Sequence, residues 1–373
     1  KTFNFQQRVQ QHQPSFPTFD RLLLSTVFIK MSGIAALLEA AKYIDMCKRS
    51  TTKEWQDVPD EILLKILSYL EVKDLISCGQ VSKRTRNISR DHSLYVTINL
   101  QNKIVKIELL EMILSKGCKI LNLSSSNVVG RFSSNIKSQL RVLNLSQPQW
   151  GYPVREWPMQ KVYYEENIEV LEELLSSCCS LQHLKMEGLC ITPKMALSIC
   201  KNGKTLQVLN LNHSLVGTFD RLDYTLHNTT SDFQAIIKCC QELKELDLNY
   251  INEGLNDNDL EFLAENISPN VEKLNLSSIP HDPLFIKQIL LRRCDKLKAL
   301  SIEASWITDC SLKYIRHCLS HTLEELSLGH CDNISFNGFL ELKPMPRLKI
   351  LNLYYNKKDG GEKIQYLTKH LPY

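Results

Sequence analysis

Apolar positions recur along most of the chain in one short signature: leucine, two variable residues, leucine, one variable residue, leucine. It is written at Leu140-Arg141-Val142-Leu143-Asn144-Leu145 and again across 181–186, 206–211, 243–248, 271–276, 297–302, 323–328 and 348–353. Shorter forms stand at Ile120-Leu121-Asn122-Leu123 and at Thr97-Ile98-Asn99-Leu100, which reads as a leading strand. The final apolar residues fall at 100, 123, 145, 186, 211, 248, 276, 302, 328 and 353, most of them 22 to 28 residues apart. The alternation inside each signature predicts a short strand with its leucines on one face. Between signatures the spacing changes to a helical one, as in Ile168 to Leu175 and Asp309 to Arg316.

A strand–loop–helix–return unit at this period is the sequence sign of a leucine-rich repeat, in which no unit buries its apolar face alone and a stack shares one core. The predicted fold is therefore α/β: a leucine-rich-repeat solenoid, or horseshoe, with parallel strands on the concave face and helices on the convex face. Residues 96–373 would hold about nine or ten repeats. Two intervals are too long, and the surplus maps to insertions at 147–166 and 213–230. The first carries Trp150, Tyr152, Trp157, Tyr163 and Tyr164, which either contact a partner or pack over the edge of the solenoid. Cys178, Cys240 and Cys294 recur at the end of the helix before a strand, where a small buried thiol packs well.

A different pattern precedes the repeats. In residues 55–95, Asp57 can cap a helix whose opening turn holds Pro59, with Asp60 and Glu61 at its positive end. Ile62, Leu63, Ile66, Leu67 and Leu70 then form a stripe at helical spacing. A second short helix offers Val72, Leu75 and Ile76, and a third begins near Val81. About forty residues is close to the lower limit for an independent core, so this stripe either packs internally or docks on a partner.

The residues Val58-Pro59-Asp60-Glu61-Ile62-Leu63, with Trp55 ahead and Gln80-Val81-Ser82-Lys83-Arg84 behind, resemble an F-box, and the whole arrangement is similar to the F-box leucine-rich-repeat family. That resemblance implies a Skp1-type adaptor as partner, and through it a cullin, with Pro59, Ile62, Leu63, Ile66, Leu67, Leu70, Leu75 and Val81 on the adaptor-binding surface. The pattern departs at Thr85 and Tyr95, where family members often carry tryptophan. Leu184-Lys185-Met186-Glu187-Gly188-Leu189, Lys201-Asn202 and Met345-Pro346-Arg347-Leu348-Lys349 resemble a branch whose targets are cell-cycle regulators such as cyclin-dependent-kinase inhibitors. The resemblance therefore also implies a protein substrate, a small accessory subunit, proteasomal degradation as the outcome, and a place in the nucleus, the cytoplasm or both.

Composition narrows the alternatives. Hydrophobic residues make up 43% and charged residues 23% of 373 residues, an ordinary globular balance. A formal charge of +4 is too weak to argue for nucleic acid or a membrane surface. The 13 cysteines show no paired spacing of a metal site and suit free thiols in a reducing compartment. Residues 1–54 have no clear period and read as a disordered or non-native leader. No P-loop, GxSxG, HExxH or dinucleotide glycine pattern is present, so the sequence predicts a non-catalytic chain with no cofactor and no metal.

Strand alternation would put Asn122, Asn144, Lys185, Asn210, Asp247, Asn275, Ser301, Ser327 and Asn352 in one row on the concave face. Lys185, Glu187, Glu245 and Asp247 break the asparagine monotony, and with Trp306 on a strand-exit loop they are the candidate target contacts; a solvated charged face is the alternative. The face has no arginine cluster, so charge alone predicts no phosphate recognition. Without the F-box resemblance, the same repeats would serve a ligase-independent binding scaffold or inhibitor.

Overall fold

The computed structural model describes residues 58–356 apart from 134–135, 148–157, 220–225, 229, 252–254, 280–284, 287, 290–294 and 355. The leader expected at 1–54, Trp55, Asp57, Cys294 and the aromatic residues Trp150, Tyr152 and Trp157 lie outside these residues. The chain divides into two compact units, 1–97 and 98–373.

The first unit is helical. Helix α1 spans Asp60–Leu67, α2 Val72–Cys78 and α3 Lys83–Ser89, followed by a 3-10 turn at His92–Tyr95. Asp60 and Glu61 occupy the first turn of α1, where they face the positive end of the helix dipole. Helix α3 begins two residues after Val81 because Ser82 and Thr85 form a capping box. The Ser82 hydroxyl accepts from the Thr85 N–H at 3.0 Å, and the Ser82 N–H donates to Thr85 Oγ1 at 3.1 Å. The polar residue at 85 thus stops one helix from running back into the loop.

The second unit is built on a ten-stranded parallel sheet. Its strands, in spatial order, are β1 (Thr97–Asn99), β3 (Ile120–Asn122), β5 (Val142–Asn144), β6 (His183–Lys185), β8 (Val208–Asn210), β11 (Glu245–Asp247), β12 (Lys273–Asn275), β13 (Ala299–Ser301), β14 (Glu325–Ser327) and β15 (Ile350–Asn352). The spatial order follows the sequence order. The central leucines pair in register, Leu121 to Leu143 to Leu184 to Leu209 and on to Leu246, Leu274, Leu300, Leu326 and Leu351. All but the last of these are buried, and each contributes about 1.5–3 kcal/mol. Helices α4 (Ile107–Ser115), α5 (Pro158–Ser177), α6 (Pro193–Lys201), α7 (Thr230–Cys239), α8 (Asp257–Asn266), α9 (Asp309–Leu319) and α10 (Phe336–Leu340) return the chain between strands. This is the leucine-rich-repeat fold that the signature spacing predicts.

Where they are described, the insertions form regular elements. From Pro158 onward the first insertion is the opening of α5. The second forms a hairpin of β9 (Leu215–Phe219) and β10 (Leu226–Asn228), which joins β7 (Cys190–Ile191) in a separate three-stranded sheet. A further short pair, β2 (Ile104–Lys106) and β4 (Asn127–Val129), runs parallel near the first repeats.

Candidate functional site: the F-box surface and the strand face

The stripe on α1 divides into two sets. Leu63, Leu67 and Leu75 are buried, with Val58 and Val72, and make the module's own core. The reason is angular: residues four apart lie on one side of a helix, and that side of α1 faces inward. Their side chains are therefore not available on this unit's surface, which differs from the expected eight-residue docking set. Pro59 and Ile62 are exposed, and Ile66, Leu70 and Val81 are half-buried. Tyr69 and Ile76, which the sequence reading did not single out as contacts, are 38% and 41% exposed. The ε-ammonium of Lys65 lies 5.5 Å from the Tyr69 ring centroid.

The two departures from the F-box pattern have internal jobs. Thr85 is buried in the capping box, and Tyr95 is buried with its hydroxyl donating to the Ser89 carbonyl at 3.0 Å. Burial pushes the Tyr95 hydroxyl above its usual value. Arg84 reaches back to the start of α1, where Nη2 meets Asp60 Oδ1 at 2.6 Å.

On the strand face, the asparagine row is a repeated turn device. The side-chain oxygen of Asn99 accepts from the Gln101 N–H, Asn122 from Ser124, Asn144 from Ser146, Asn210 from Asn212, Asn275 from Ser277 and Asn352 from Tyr354, at 2.8–3.4 Å. Asp247 does the same with Asn249 at 3.1 Å. Each is an Asx turn that bends the chain out of the strand. One residue further, the backbone turns left-handed at Ser125, His213, Tyr250, Ser278, Ala304 and His330 (φ 49–59°), and at Gly188 (φ 72°). The turn therefore sets the direction of the side chains that follow each strand.

The predicted contacts fall into three places. Lys185, Glu187 and Asp247 come together around β6, β8 and β11, with Lys185 and Asp247 both in register with Asn210. Burial raises the Asp247 carboxyl above the usual range, and the charge of Glu187 raises it further. The Asn249 N–H, His213 and Lys185 act the other way. Glu245 lies one row away and is matched by Lys273 at 2.9 Å, an exposed pair worth little to stability. Trp306, 63% exposed, stands on the exit turn of β13. The sequence reading missed His213 and Tyr250, whose rings stack with centroids 4.4 Å apart at 9°. Both stand two residues past the last leucine of a signature, so aligning the repeats would have placed them side by side.

Cys178 and Cys240 are buried, and burial pushes their thiols up to about 11 and about 12. Neither has the lowered value of a reactive thiolate. Among the described residues no group of three histidine, cysteine or carboxylate side chains could hold a metal, and no helix is long and apolar enough to cross a membrane.

Comparison with known proteins agrees with this geometry. Residues 55–101 match the family model described as F-box-like. The F-box only protein 15 of Bos taurus is 28% identical over 139 residues, which cover 33% of this chain and 30% of that protein. A protein of Arabidopsis thaliana named for an F-box is 25% identical over 302 residues, covering 80% of this chain and 78% of that one. A chain in the crystal structure of the Rad7 and Elc1 complex in yeast has the same fold, with a TM-score of 0.52 at 15% identity over 91% of both chains. The matches thus show an F-box-like module at residues 55–101 and, over the rest of the chain, a fold shared with a known repeat protein.

Proposed function

We propose that this chain is the substrate-recognition subunit of an SCF-type ubiquitin ligase. The F-box holds a Skp1-type adaptor, and through it a cullin, while the strand face of the repeats holds the target protein. One observation carries this reading: an F-box-like segment leaves Pro59, Ile62, Tyr69 and Ile76 exposed on a module whose core is made by other side chains. Apolar surface left over after a core is complete suits a partner. The chain itself needs no catalytic group, because holding a target beside the ligase machinery supplies proximity.

A finer expectation rests on the resemblance of three segments to S-phase kinase-associated protein 2. It would make cell-cycle regulators such as cyclin-dependent-kinase inhibitors the targets, add a small accessory subunit, and place the protein in the nucleus, the cytoplasm or both. The test is affinity capture from cells with the proteasome blocked, read by mass spectrometry. Co-capture of the adaptor, a cullin and a stable set of ubiquitinated proteins supports the reading; capture of targets without the adaptor refutes it. That second outcome fits a ligase-independent scaffold, which the internal packing of Thr85 and Tyr95 favours.

A further inference from the structure

Seven strand-exit turns among the described residues use the same side-chain cap. Six of them use asparagine, and the seventh uses Asp247. A neutral amide oxygen does this job elsewhere, so the negative charge of Asp247 adds nothing that the turn requires. It is also unfavourable where it stands, half-buried and near the like charge of Glu187. A charge that the turn does not require, half-buried near a like charge and only partly offset by His213 and Lys185, points outward to a donor beyond the chain.

The surroundings define what would fit. Asp247 Oδ2 accepts only a long contact from Asn210 Nδ2, 3.4 Å, and Glu187 Oε1 accepts from Asn212 Nδ2 at 3.3 Å. The side-chain oxygens of Asn212 and Asn249, in the turns that follow β8 and β11, are buried with no donor among the described residues. Among the described residues, the side-chain donors that reach these two carboxylates are neutral amides at 3.4 and 3.3 Å, so neither has a cationic partner. Glu187 leaves β6 and Asp247 ends β11, so the two carboxylates stand two strands apart, roughly 10 Å between backbones, a gap that one planar cation can bridge. Lys185 on β6 acts on Asp247 but forms no ion pair with either carboxylate among the described residues. At the rim, the left-handed turns present the stacked rings of His213 and Tyr250, and Tyr250 is 48% exposed.

We propose that Glu187, Asp247 and the His213–Tyr250 platform form a subsite for an arginine side chain of the target protein. A guanidinium brings five N–H donors in a planar fork, which can serve the two carboxylates together. Its flat face also lies well on an aromatic ring. An ammonium has three donors around a point and no face, so lysine is the poorer fit. This inference deepens the receptor reading and rests on it.

The test uses the full chain purified with its adaptor and a displayed library of random short peptides. The expected result is enrichment of peptides that share one arginine at a fixed place. Replacing that arginine with lysine should weaken binding several-fold, and Asp247→Asn should weaken it about tenfold, the loss of one charged hydrogen-bonded contact. Asp247→Asn keeps the turn cap, so a melting temperature at or above the wild type shows that the fold is intact. Tyr250→Ala gives a second, independent loss. Enriched peptides without a fixed arginine, no enrichment at all, or unchanged affinity in Asp247→Asn would overturn the subsite. Adaptor retention is read in the same preparation: arginine selectivity without adaptor binding refutes the receptor reading alone, and adaptor binding without arginine selectivity refutes the subsite alone.

Discussion

Asp247 shows how one residue serves a fold and exceeds it. Its carboxyl caps a turn that asparagine caps in neighbouring repeats, so Asp247→Asn should leave the turn in place. The sign of the pH effect follows from linkage. A carboxyl raised in the folded state binds its proton more tightly there than in the unfolded chain. Stability from this residue is therefore lost as pH climbs from the usual carboxylate value, about 4, to the raised one. Asp247→Asn should match the wild type in strong acid and melt at an equal or higher temperature at neutral pH; thermal melts across pH would show it, and a lower neutral melting temperature would contradict it. Asn202 is the opposite case. It is 1% exposed, its amide donates to the Cys178 and Ser198 carbonyls at 3.1 and 2.9 Å, and its oxygen accepts from the Leu181 N–H at 2.9 Å. Asn202→Ala leaves buried backbone groups unpaired and should cost about 2–3 kcal/mol in denaturant unfolding. The sequence marked Asn202 only through resemblance, because nothing in a linear pattern shows which helix-end amide is buried.

At the scale of elements, the strands were the most legible part. Every described signature from 120 to 353 forms its strand with the central leucine in register, because period-two alternation leaves one face to bury. The insertions were less legible. The hairpin of β9 and β10 carries no alternating leucines, and the start of α5 is rich in aromatic and polar residues, so neither announced its element. On α1, helical spacing named a stripe but could not say which side of it would face inward. The structure resolves this into a measurable difference. Leu63→Ala should destabilise the F-box by about 2–5 kcal/mol, whereas Ile62→Ala, at 37% exposure, should change unfolding by no more than about 0.5 kcal/mol. Equal losses in a chemical unfolding series would contradict the inward assignment of Leu63.

The molecule as a whole separates two kinds of surface between two units. The helical unit carries exposed apolar side chains beyond its core, and the repeat unit carries a polar strand face on which Lys185, Glu187 and Asp247 come together around β6, β8 and β11. The charged positions of the strand face were legible, since Lys185, Glu187 and Asp247 stood out against the asparagine row. The aromatic platform was not, because His213 and Tyr250 are 37 residues apart and meet only through the left-handed exit turns. The central claim is that the F-box surface, not its core, holds the adaptor. The most direct test is titration of a purified Skp1-type adaptor into the full chain, wild type against the double variant Ile62→Asp, Ile76→Asp, with circular dichroism melts of both. Saturable binding by the wild type, and loss of about a hundredfold or more in a double variant that melts like the wild type, is the expected result. Undiminished binding in the double variant, or no binding by the wild type, would contradict it.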